Sequence, residues 1–182
     1  MIEAVLLSGG LDSAVCLWRA AAPVAVFVDY GHPAAGKERE AARALSAARG
    51  CLLYECSATL QIGTMADPTG KPGPRVIGGR NLVLISLAVN VAVQAGATVV
   101  WLGAHAGDAD DYPDCRAGFI APLDRLCRAT YGVGVAAPLI MTSRSNLAAE
   151  ARMRVPVHLC WSCYTPRDGE PCGSCNSCRQ ER

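Results

Sequence analysis

The sequence predicts an α/β fold in which helices cover both faces of a parallel sheet, with a cysteine-rich loop region at the C-terminal end. Short runs of β-branched residues alternate with alanine-rich helical patterns, which is the order of elements that a parallel sheet requires. Hydrophobic residues make up 51% of the chain but aromatic residues only 5%, and small side chains let helices pack closely on a sheet. With 182 residues, the chain is about one domain long.

The first part of the chain reads as three strands separated by two helices. Apolar runs predict strands at residues 2–7, 24–29 and 52–56, and helical patterns predict helices at residues 12–21 and 38–49. Gly50 follows the second helix in the position of a C-cap. The β-α-β-α-β order predicts parallel strands joined by right-handed crossovers, which is a Rossmann-like arrangement.

A long polar segment interrupts this alternation before it resumes. Residues 57–79 contain three prolines and five glycines, too many for regular structure, and a loop of that length is typically a functional lid. Downstream, the pattern predicts a helix at 81–96, a strand at 98–102, a polar loop at 104–116, a helix at 119–131, a strand at 133–140 and a helix at 145–152. We expect an α/β domain over residues 1–156 and a metal-binding segment over residues 157–182 that packs on it.

Charge and hydropathy narrow the classes of function. Seventeen Lys and Arg against 16 Asp and Glu leave a net charge of +1, which argues against nucleic acid as a partner. The most apolar long stretch, residues 82–95, is too short to span a bilayer, and the N-terminus shows no secretory signal. We therefore expect a cytoplasmic protein without membrane contact, whose ten cysteines stay reduced or bind metal.

The first strand ends in SGGLDS, residues 8–13, and a helix follows at once. Glycines let backbone N–H groups approach an anion closely, serine hydroxyls donate hydrogen bonds, and a helix N-terminus carries partial positive charge. Open α/β sheets bind ligands at the carboxyl ends of their strands, so this position favours a phosphate-binding loop. Asp12 would repel a bare phosphate; it either binds a Mg²⁺ ion between itself and the phosphates or caps the helix.

Five of the ten cysteines lie within residues 160–178. Thiolates separated by two residues can reach one Zn²⁺, and four thiolates close a tetrahedral site. The spacing predicts Cys172, Cys175 and Cys178 as ligands, with Cys163 as the fourth and Cys160 as its alternative. Because four sulfur ligands leave no open position, a zinc ion here would be structural.

Five motifs of the chain occur in the same order in one enzyme family. SGGLDS resembles the pyrophosphate loop of the N-type ATP pyrophosphatases, and WSCYTPRDGEPCGSCNSC, residues 161–178, resembles the zinc-binding tail of the cyano-deazaguanine synthases, the QueC family. Three further stretches resemble that family: DYGH at 29–32, GGRNLVLISLA at 78–88 and GAHAGDADDYPDCRAGFI at 103–120. The resemblance implies the adenine nucleotide alpha hydrolase-like variant of the Rossmann-like fold.

The resemblance implies an ATP-dependent ligase that converts 7-carboxy-7-deazaguanine and ammonia to 7-cyano-7-deazaguanine. One ATP adenylates the carboxylate, ammonia displaces AMP to give an amide, and a second ATP activates the amide oxygen for elimination to the nitrile. A carboxylate has only poor leaving groups, and adenylation supplies a good one. The resemblance also implies Mg²⁺ with ATP, one structural Zn²⁺ per chain and a homodimer, and we expect free ammonia as the nitrogen donor.

The same resemblance implies roles for individual residues. ATP and its Mg²⁺ would be held by Leu7, Ser8, Gly9, Gly10, Leu11, Asp12, Ser13, Arg80 and Asn81. The substrate would contact Asp108, Tyr112, Asp114 and Arg116, because a carboxylate accepts from the guanine-like N–H edge and an Arg pairs with the substrate carboxylate. The catalytic candidates are Asp12, Ser13, Asp114, Arg116 and Arg144.

Several of these residues have a plainer interpretation. Asn81 could be only a helix N-cap, and Tyr112 only a packing aromatic. Cys115 could be mistaken for a nucleophile, but nothing in the chemistry needs one. His32 and His105 are candidate proton carriers near neutral pH or hydrogen-bonded loop histidines, and His158 is a further candidate zinc ligand.

The chain also departs from the family pattern in three places, one of which is His158-Leu-Cys160, where plainer residues are expected. The segment 57–79 is shorter than the family's, and the family's Pro-Leu-x-x-Leu-Thr-Lys stretch is here residues 138–144, which ends in Arg144. Arginine cannot give up its proton, and its charge is spread over a planar guanidinium group, whereas the ammonium group of lysine is a point charge. The replacement of lysine by arginine is therefore not conservative. Two alternatives stay open: an enzyme that stops at the amide or conjugates the activated carboxyl to another amine such as a protein, and a zinc-containing module that modifies tRNA or binds nucleic acid.

Overall fold

A computed structural model describes residues 1–60 and 77–180. Its strands are β1 (Ile2–Leu6), β2 (Pro23–Asp29), β3 (Leu53–Ser57), β4 (Ala97–Trp101) and β5 (Gly134–Ala136). All neighbouring strands pair in parallel, in the order β3-β2-β1-β4-β5. The predicted parallel sheet is confirmed.

Seven α-helices are present among the described residues. They are α1 (Leu11–Arg19), α2 (Ala35–Arg49), α3 (Arg80–Ala95), α4 (Asp108–Asp111), α5 (Ala117–Tyr131), α6 (Arg144–Arg154) and α7 (Asn176–Gln180). Two short 3₁₀ helices cover Pro113–Cys115 and Val157–Leu159. Gly50 caps α2 in the left-handed region, with φ of 69°, as the sequence predicts.

The two faces of the sheet carry two separate hydrophobic cores. Because successive side chains of a strand point to opposite faces, Ala4 and Leu6 of β1 pack with α3 and α5, whereas Val5 packs with α1, α2 and α6. Helices therefore cover both faces, as the Rossmann-like prediction requires. No helix among the described residues has the length and apolarity that a membrane crossing needs.

The strand order places a crevice at one point of the sheet edge. From β1 the chain moves outward through β2 to β3, and then returns to the other side of β1 for β4 and β5. The connections after β1 and β4 therefore diverge, and ligands of open α/β sheets bind in the crevice at such a point. SGGLDS follows β1 and the 104–116 segment follows β4, so both motifs border this crevice.

Two predicted elements differ from the structure. The segment 104–116 is not a plain loop, because it contains α4 and the Pro113–Cys115 helix. The strand predicted at 133–140 is only Gly134–Ala136, since the chain then turns through hydrogen bonds from Ile140 N–H to Ala137 O and from Thr142 N–H to Leu139 O. Most of the lid predicted at 57–79, residues 61–76, lies outside the described residues.

Candidate active site

SGGLDS forms a tight loop that leads directly into α1. The Ser13 hydroxyl donates to the Gly10 carbonyl at 2.9 Å, the Gly10 N–H donates to Ser8 Oγ at 3.3 Å, and the two serine hydroxyls lie 3.2 Å apart. Gly10 is the N-cap of α1 and no side chain caps this helix, so Asp12 is not a capping residue. The free first turn leaves N–H groups available to an anion.

Two glycines are needed for the close packing around this loop. Gly9 has a φ of +84°, and a Cβ there would lie 2.7 Å from the Glu38 carbonyl oxygen of α2. A Cβ at Gly103, just after β4, would lie 2.8 Å from the Ser13 nitrogen. The start of α1 is therefore pressed against the end of β4.

This contact brings Asp12 next to His105 and Asp108, and the three side chains form a cluster of potential metal ligands. The His105 Nε2 atom lies 4.0 Å from Asp12 Oδ2 and 3.7 Å from Asp108 Oδ1. Burial raises the pKa of Asp12 to about 6, an effect that His105 opposes, Asp108 reinforces and Arg144 opposes. His105 Nδ1 accepts from the Gly107 N–H at 2.9 Å, so its proton sits on Nε2 and faces the carboxylates.

Arg80 lies between two tyrosine rings on the other side of the crevice. Its guanidinium carbon is 6.0 Å from the Tyr30 ring centre and 5.9 Å from the Tyr112 ring centre. The Tyr30 ring also stacks on His32, with ring centres 4.1 Å apart. Arg80 is thus a cation held on aromatic faces, which suits an anionic or planar ligand.

The neighbouring Asn81 is not an N-cap. Gly79 is the N-cap of α3, and the Asn81 side-chain amide donates to Cys115 Sγ at 3.4 Å. Burial raises the pKa of Cys115 to about 12, so this thiol is not a ready nucleophile, in agreement with the structural role expected for it.

Asp114 and Arg116 are occupied with the protein's own backbone. Asp114 Oδ2 accepts the Asn81 N–H at 3.2 Å, near the start of α3, and Arg116 Nε donates to the Ala109 carbonyl at 2.7 Å. The Arg116 side chain is exposed at the start of α5. Among the described residues, neither side chain belongs to the wall of the crevice.

The crevice has a volume of about 1220 Å³. That is room for a nucleotide and a second small molecule, since single ligand pockets hold roughly 300–1,000 Å³. Of the residues predicted to bind nucleotide or substrate or to act in catalysis, those on its wall are Leu7, Ser8, Gly10, Leu11, Asp12, Ser13, Arg80, Asn81, Asp108, Tyr112 and Arg144. The structure therefore brings the phosphate loop, the start of α3, the 104–116 segment and the start of α6 together in one site.

The C-terminal cysteines form a candidate metal centre. The Sγ atoms of Cys163, Cys172, Cys175 and Cys178 all lie within 4.8 Å of one another. Hydrogen bonds from the Thr165 hydroxyl, from Ser174 and from backbone N–H groups lower the pKa of Cys172, whereas burial and the neighbouring thiol of Cys175 raise the pKa of Cys178. Such a set of sulfur donors fits a metal ion.

Cys160 and His158 are not part of this four-thiol group among the described residues. Cys160 packs against the core between the sheet, α1, α2 and α6, and both residues contribute to the wall of the crevice. The geometry thus selects Cys163 from the two alternatives that the spacing left open.

Sequence reasoning did not single out two groups that the structure places at the site. Glu38 of α2 lies on the crevice wall with its Oε2 2.8 Å from His32 Nε2, and the Trp161 N–H donates to the Gly9 carbonyl at 2.9 Å. A glutamate in a helical pattern and a tryptophan beside a cysteine carry no signal of such contacts, because both depend on the path of the chain.

Comparison with protein families and with curated proteins gives consistent matches. The family model "Queuosine biosynthesis protein QueC" matches residues 56–182. A 7-cyano-7-deazaguanine synthase of Novosphingobium aromaticivorans is 35% identical over 206 residues, which cover 100% of this chain and 88% of that protein. The enzyme of the same name from Anaeromyxobacter dehalogenans is 34% identical, covering 98% of this chain and 88% of that protein.

Solved structures share the fold at low sequence identity. The U34-tRNA thiolase NcsA from Methanococcus maripaludis with its [4Fe-4S] cluster has a TM-score of 0.62 at 17% identity, covering 100% of this chain and 62% of that one. A predicted subunit of tRNA methyltransferase from Methanocaldococcus jannaschii has a TM-score of 0.53 at 16% identity and covers 84% of this chain and 74% of that one.

Proposed function

The chain belongs to the QueC family, and on that basis we propose that it uses ATP and ammonia to convert 7-carboxy-7-deazaguanine into 7-cyano-7-deazaguanine. The observation that carries the proposal is the shared crevice, in which the SGGLDS loop faces Arg80 and Tyr112 across one cavity. An adenylating enzyme needs this arrangement, because the α-phosphorus of ATP and the substrate carboxylate must meet in one site.

In the first round, a carboxylate oxygen of the substrate attacks the α-phosphorus and pyrophosphate leaves. Ammonia then attacks the acyl carbon, and AMP leaves with the carboxyl oxygen to give the amide. In the second round, the amide oxygen attacks the α-phosphorus of a second ATP and pyrophosphate leaves. The nitrogen then loses its two protons and the C–O bond to AMP breaks, which gives the nitrile. The backbone N–H groups and hydroxyls of residues 8–13 would hold the departing pyrophosphate.

Asp12 and Asp108 are the residues that would hold Mg²⁺. Magnesium prefers oxygen ligands, and these carboxylates approach one another beside the phosphate loop. The His105 Nε2–H points at them, 4.0 Å from Asp12 Oδ2 and 3.7 Å from Asp108 Oδ1. Mg²⁺ bound there would neutralise charge on the phosphates, and Arg144 at the start of α6 would add positive charge on the same side.

For the substrate carboxylate, the structure favours Arg80 over Arg116. Arg80 lies on the crevice wall, whereas Arg116 is exposed and donates to the backbone. Tyr30 and Tyr112, which flank Arg80, offer faces on which a purine-like ring can stack. Asp108 is predicted from the sequence to accept from the N–H edge of the substrate, but its position beside Asp12 favours the cation instead.

For the four-cysteine group we propose one structural Zn²⁺. A tetrahedral zinc with Zn–S bonds of about 2.3 Å holds its sulfurs about 3.8 Å apart, close to what the grouped thiols allow. An iron–sulfur cluster such as that of the NcsA thiolase places four iron atoms between its cysteines, so the thiolates lie much farther apart. The upper limit of 4.8 Å between the Sγ atoms supports a single ion.

The test is product analysis by mass spectrometry. The purified protein is incubated with 7-carboxy-7-deazaguanine, ATP, Mg²⁺ and ammonium, and we expect the nitrile together with two AMP and two pyrophosphate per nitrile. An amide that never dehydrates would support the enzyme that stops after one round, which the names of the relatives do not favour. Absence of any ATP-dependent product would contradict the proposal. The homodimer and the cytoplasmic location stay predictions.

A further inference from the structure

The C-terminal segment contacts the phosphate loop through one hydrogen bond. The backbone N–H of Trp161 donates to the Gly9 carbonyl at 2.9 Å. We propose that Trp161 is a positioning residue, whose N–H holds the Gly9–Gly10 peptide in the orientation that binds pyrophosphate. This inference rests on the proposed function, because it assigns a task to the loop that would bind ATP.

The geometry of a peptide bond makes this contact consequential. In a trans peptide the carbonyl and the following N–H point in opposite directions, and no cis peptide occurs among the described residues. When the Gly9 carbonyl points to Trp161, the Gly10 N–H must point away from it, towards Ser8 Oγ and the start of α1. A flipped peptide would present a carbonyl oxygen there, and that oxygen would repel phosphate.

The loop needs such a restraint because two glycines in succession leave its backbone free to rotate. On one side, α2 restrains Gly9, since the Glu38 carbonyl and the Ala41 side chain leave no space for a Cβ. On the other side the restraint is the Trp161 N–H, which donates to the Gly9 carbonyl at 2.9 Å. The peptide is thus held between a helix of the α/β domain and the C-terminal segment.

Trp161 is itself fixed by the candidate metal centre. Its indole Nε1–H donates to the carbonyl of Cys163 at 2.8 Å, and Cys163 is 2% exposed. The ammonium group of Lys37, on α2, lies 5.8 Å from the centre of the indole ring. The four-cysteine group therefore positions a residue that positions the phosphate loop.

The test removes the N–H and keeps the rest of the chain. Trp161→Pro lacks the donor, and Cys160 already has φ of −77° and ψ of 151°, the conformation that a residue before proline adopts. Trp161→Phe is the matched control, because it loses the indole Nε1–H but retains the backbone N–H. A second variant with indole-3-lactic acid at position 161 replaces only the N–H by an ester oxygen.

Binding of pyrophosphate and of AMP to the metal-loaded proteins is measured by calorimetry. We expect the proline and ester variants to bind pyrophosphate at least about tenfold more weakly, the scale of a lost contact to a charged group, with AMP affinity unchanged. Trp161→Phe loses the hydrogen bond to the Cys163 carbonyl but keeps the backbone N–H, so its loss of pyrophosphate affinity should be smaller than that of the proline and ester variants, with AMP affinity unchanged. A general loss of structure would weaken both ligands together, so the selective loss marks positioning.

Wild-type pyrophosphate affinity in the ester variant, or an equal loss of both ligands in it, overturns the inference. If Trp161→Pro does not fold, the ester variant alone decides. The proposed function fails separately, if the wild-type protein binds neither pyrophosphate nor ATP.

Discussion

Asp12 is a partly buried carboxylate whose charged form the folded protein stabilises poorly. Burial is the largest effect and raises its pKa from 3.8 to about 6, although His105 and Arg144 attract the charge. A carboxyl group with a higher pKa in the folded than in the unfolded state makes stability fall as pH rises from about 4 to about 6. Above that range, the charge of Asp12 opposes folding and is available for a cation.

The substitution Asp12→Asn is expected to stabilise the ligand-free protein at pH 7.5 and to abolish ATP-dependent turnover. A shift of two pKa units corresponds to ~2.7 kcal/mol at most. Since a third of the side chain is exposed, we expect a gain of ~1 kcal/mol in the free energy of unfolding. Urea denaturation at pH 7.5 and at pH 4 measures it, and the gain should vanish at pH 4.

Asp110→Asn, at an exposed position of α4, is the control and should leave stability unchanged at both pH values. If Asp12→Asn is less stable than the wild type at neutral pH, the ionised Asp12 carboxylate does not destabilise the folded protein, and this interpretation is wrong.

Arg80 and Arg116 form a second pair for comparison at the level of single residues. Arg80→Gln is expected to weaken binding of 7-carboxy-7-deazaguanine at least about tenfold, because a charge-assisted contact on the crevice wall is lost. Arg116→Gln should change it less than about threefold, since its guanidinium is exposed and bonded to the Ala109 carbonyl. Calorimetric titration measures both, and the reverse order would restore Arg116 as the carboxylate-binding residue.

At the scale of elements, the contact of α2 with the phosphate loop sets the shape of the site. The helix approaches Gly9 so closely that a side chain there would overlap backbone atoms, and the same helix provides Glu38 and Lys37. Short elements elsewhere follow from similar constraints. The strand β5 ends after three residues because the chain turns at Ala137, ahead of Pro138, which cannot donate a ladder hydrogen bond.

Gly9→Ala and Gly31→Ala separate the two costs of replacing a glycine here. Both residues have positive φ, 84° and 81°, but a Cβ at Gly31 meets nothing within 4 Å. Positive φ costs ~1–2 kcal/mol in either variant. Overlap with α2 adds ~1–3 kcal/mol for Gly9→Ala alone. Equal free energies of unfolding in urea titrations would show that α2 does not press on the loop.

At the scale of the whole molecule, the cysteine-rich segment connects distant parts of the chain. Thiols at 163 and 172–178 converge on one point, and the residues just before them contact the phosphate loop that follows β1. Loss of the metal should therefore affect the active site as well as the C-terminal segment.

Cys163→Ser and Cys160→Ser test which cysteine belongs to the metal centre. Wild-type protein and Cys160→Ser should each contain about one Zn²⁺ per chain by elemental analysis, whereas Cys163→Ser should lose most of it. Its melting temperature should fall as well, because metal binding contributes folding free energy. Full zinc content in Cys163→Ser, or loss in Cys160→Ser, would reverse the assignment; iron in the wild type would exclude a zinc centre.

The sequence by itself determined the alternation of strands and helices, the position of the phosphate loop and the cysteine spacing. These are local properties, since hydrophobic period, glycine punctuation and ligand spacing act over a few residues. The division of 104–116 into α4 and a 3₁₀ helix was not predicted, because its hydrogen bonds involve side chains such as Asp108, which accepts the His105 N–H.

Only the tertiary structure decided which of these residues meet. The choice of Cys163 over Cys160, the approach of His105 to Asp12 and the hydrogen bond from Trp161 to Gly9 join positions far apart in the sequence. The tertiary structure also places Arg80 on the crevice wall and Arg116 outside it. Such contacts depend on the strand order and on how closely helices pack on the sheet, which the pattern of a single segment does not contain.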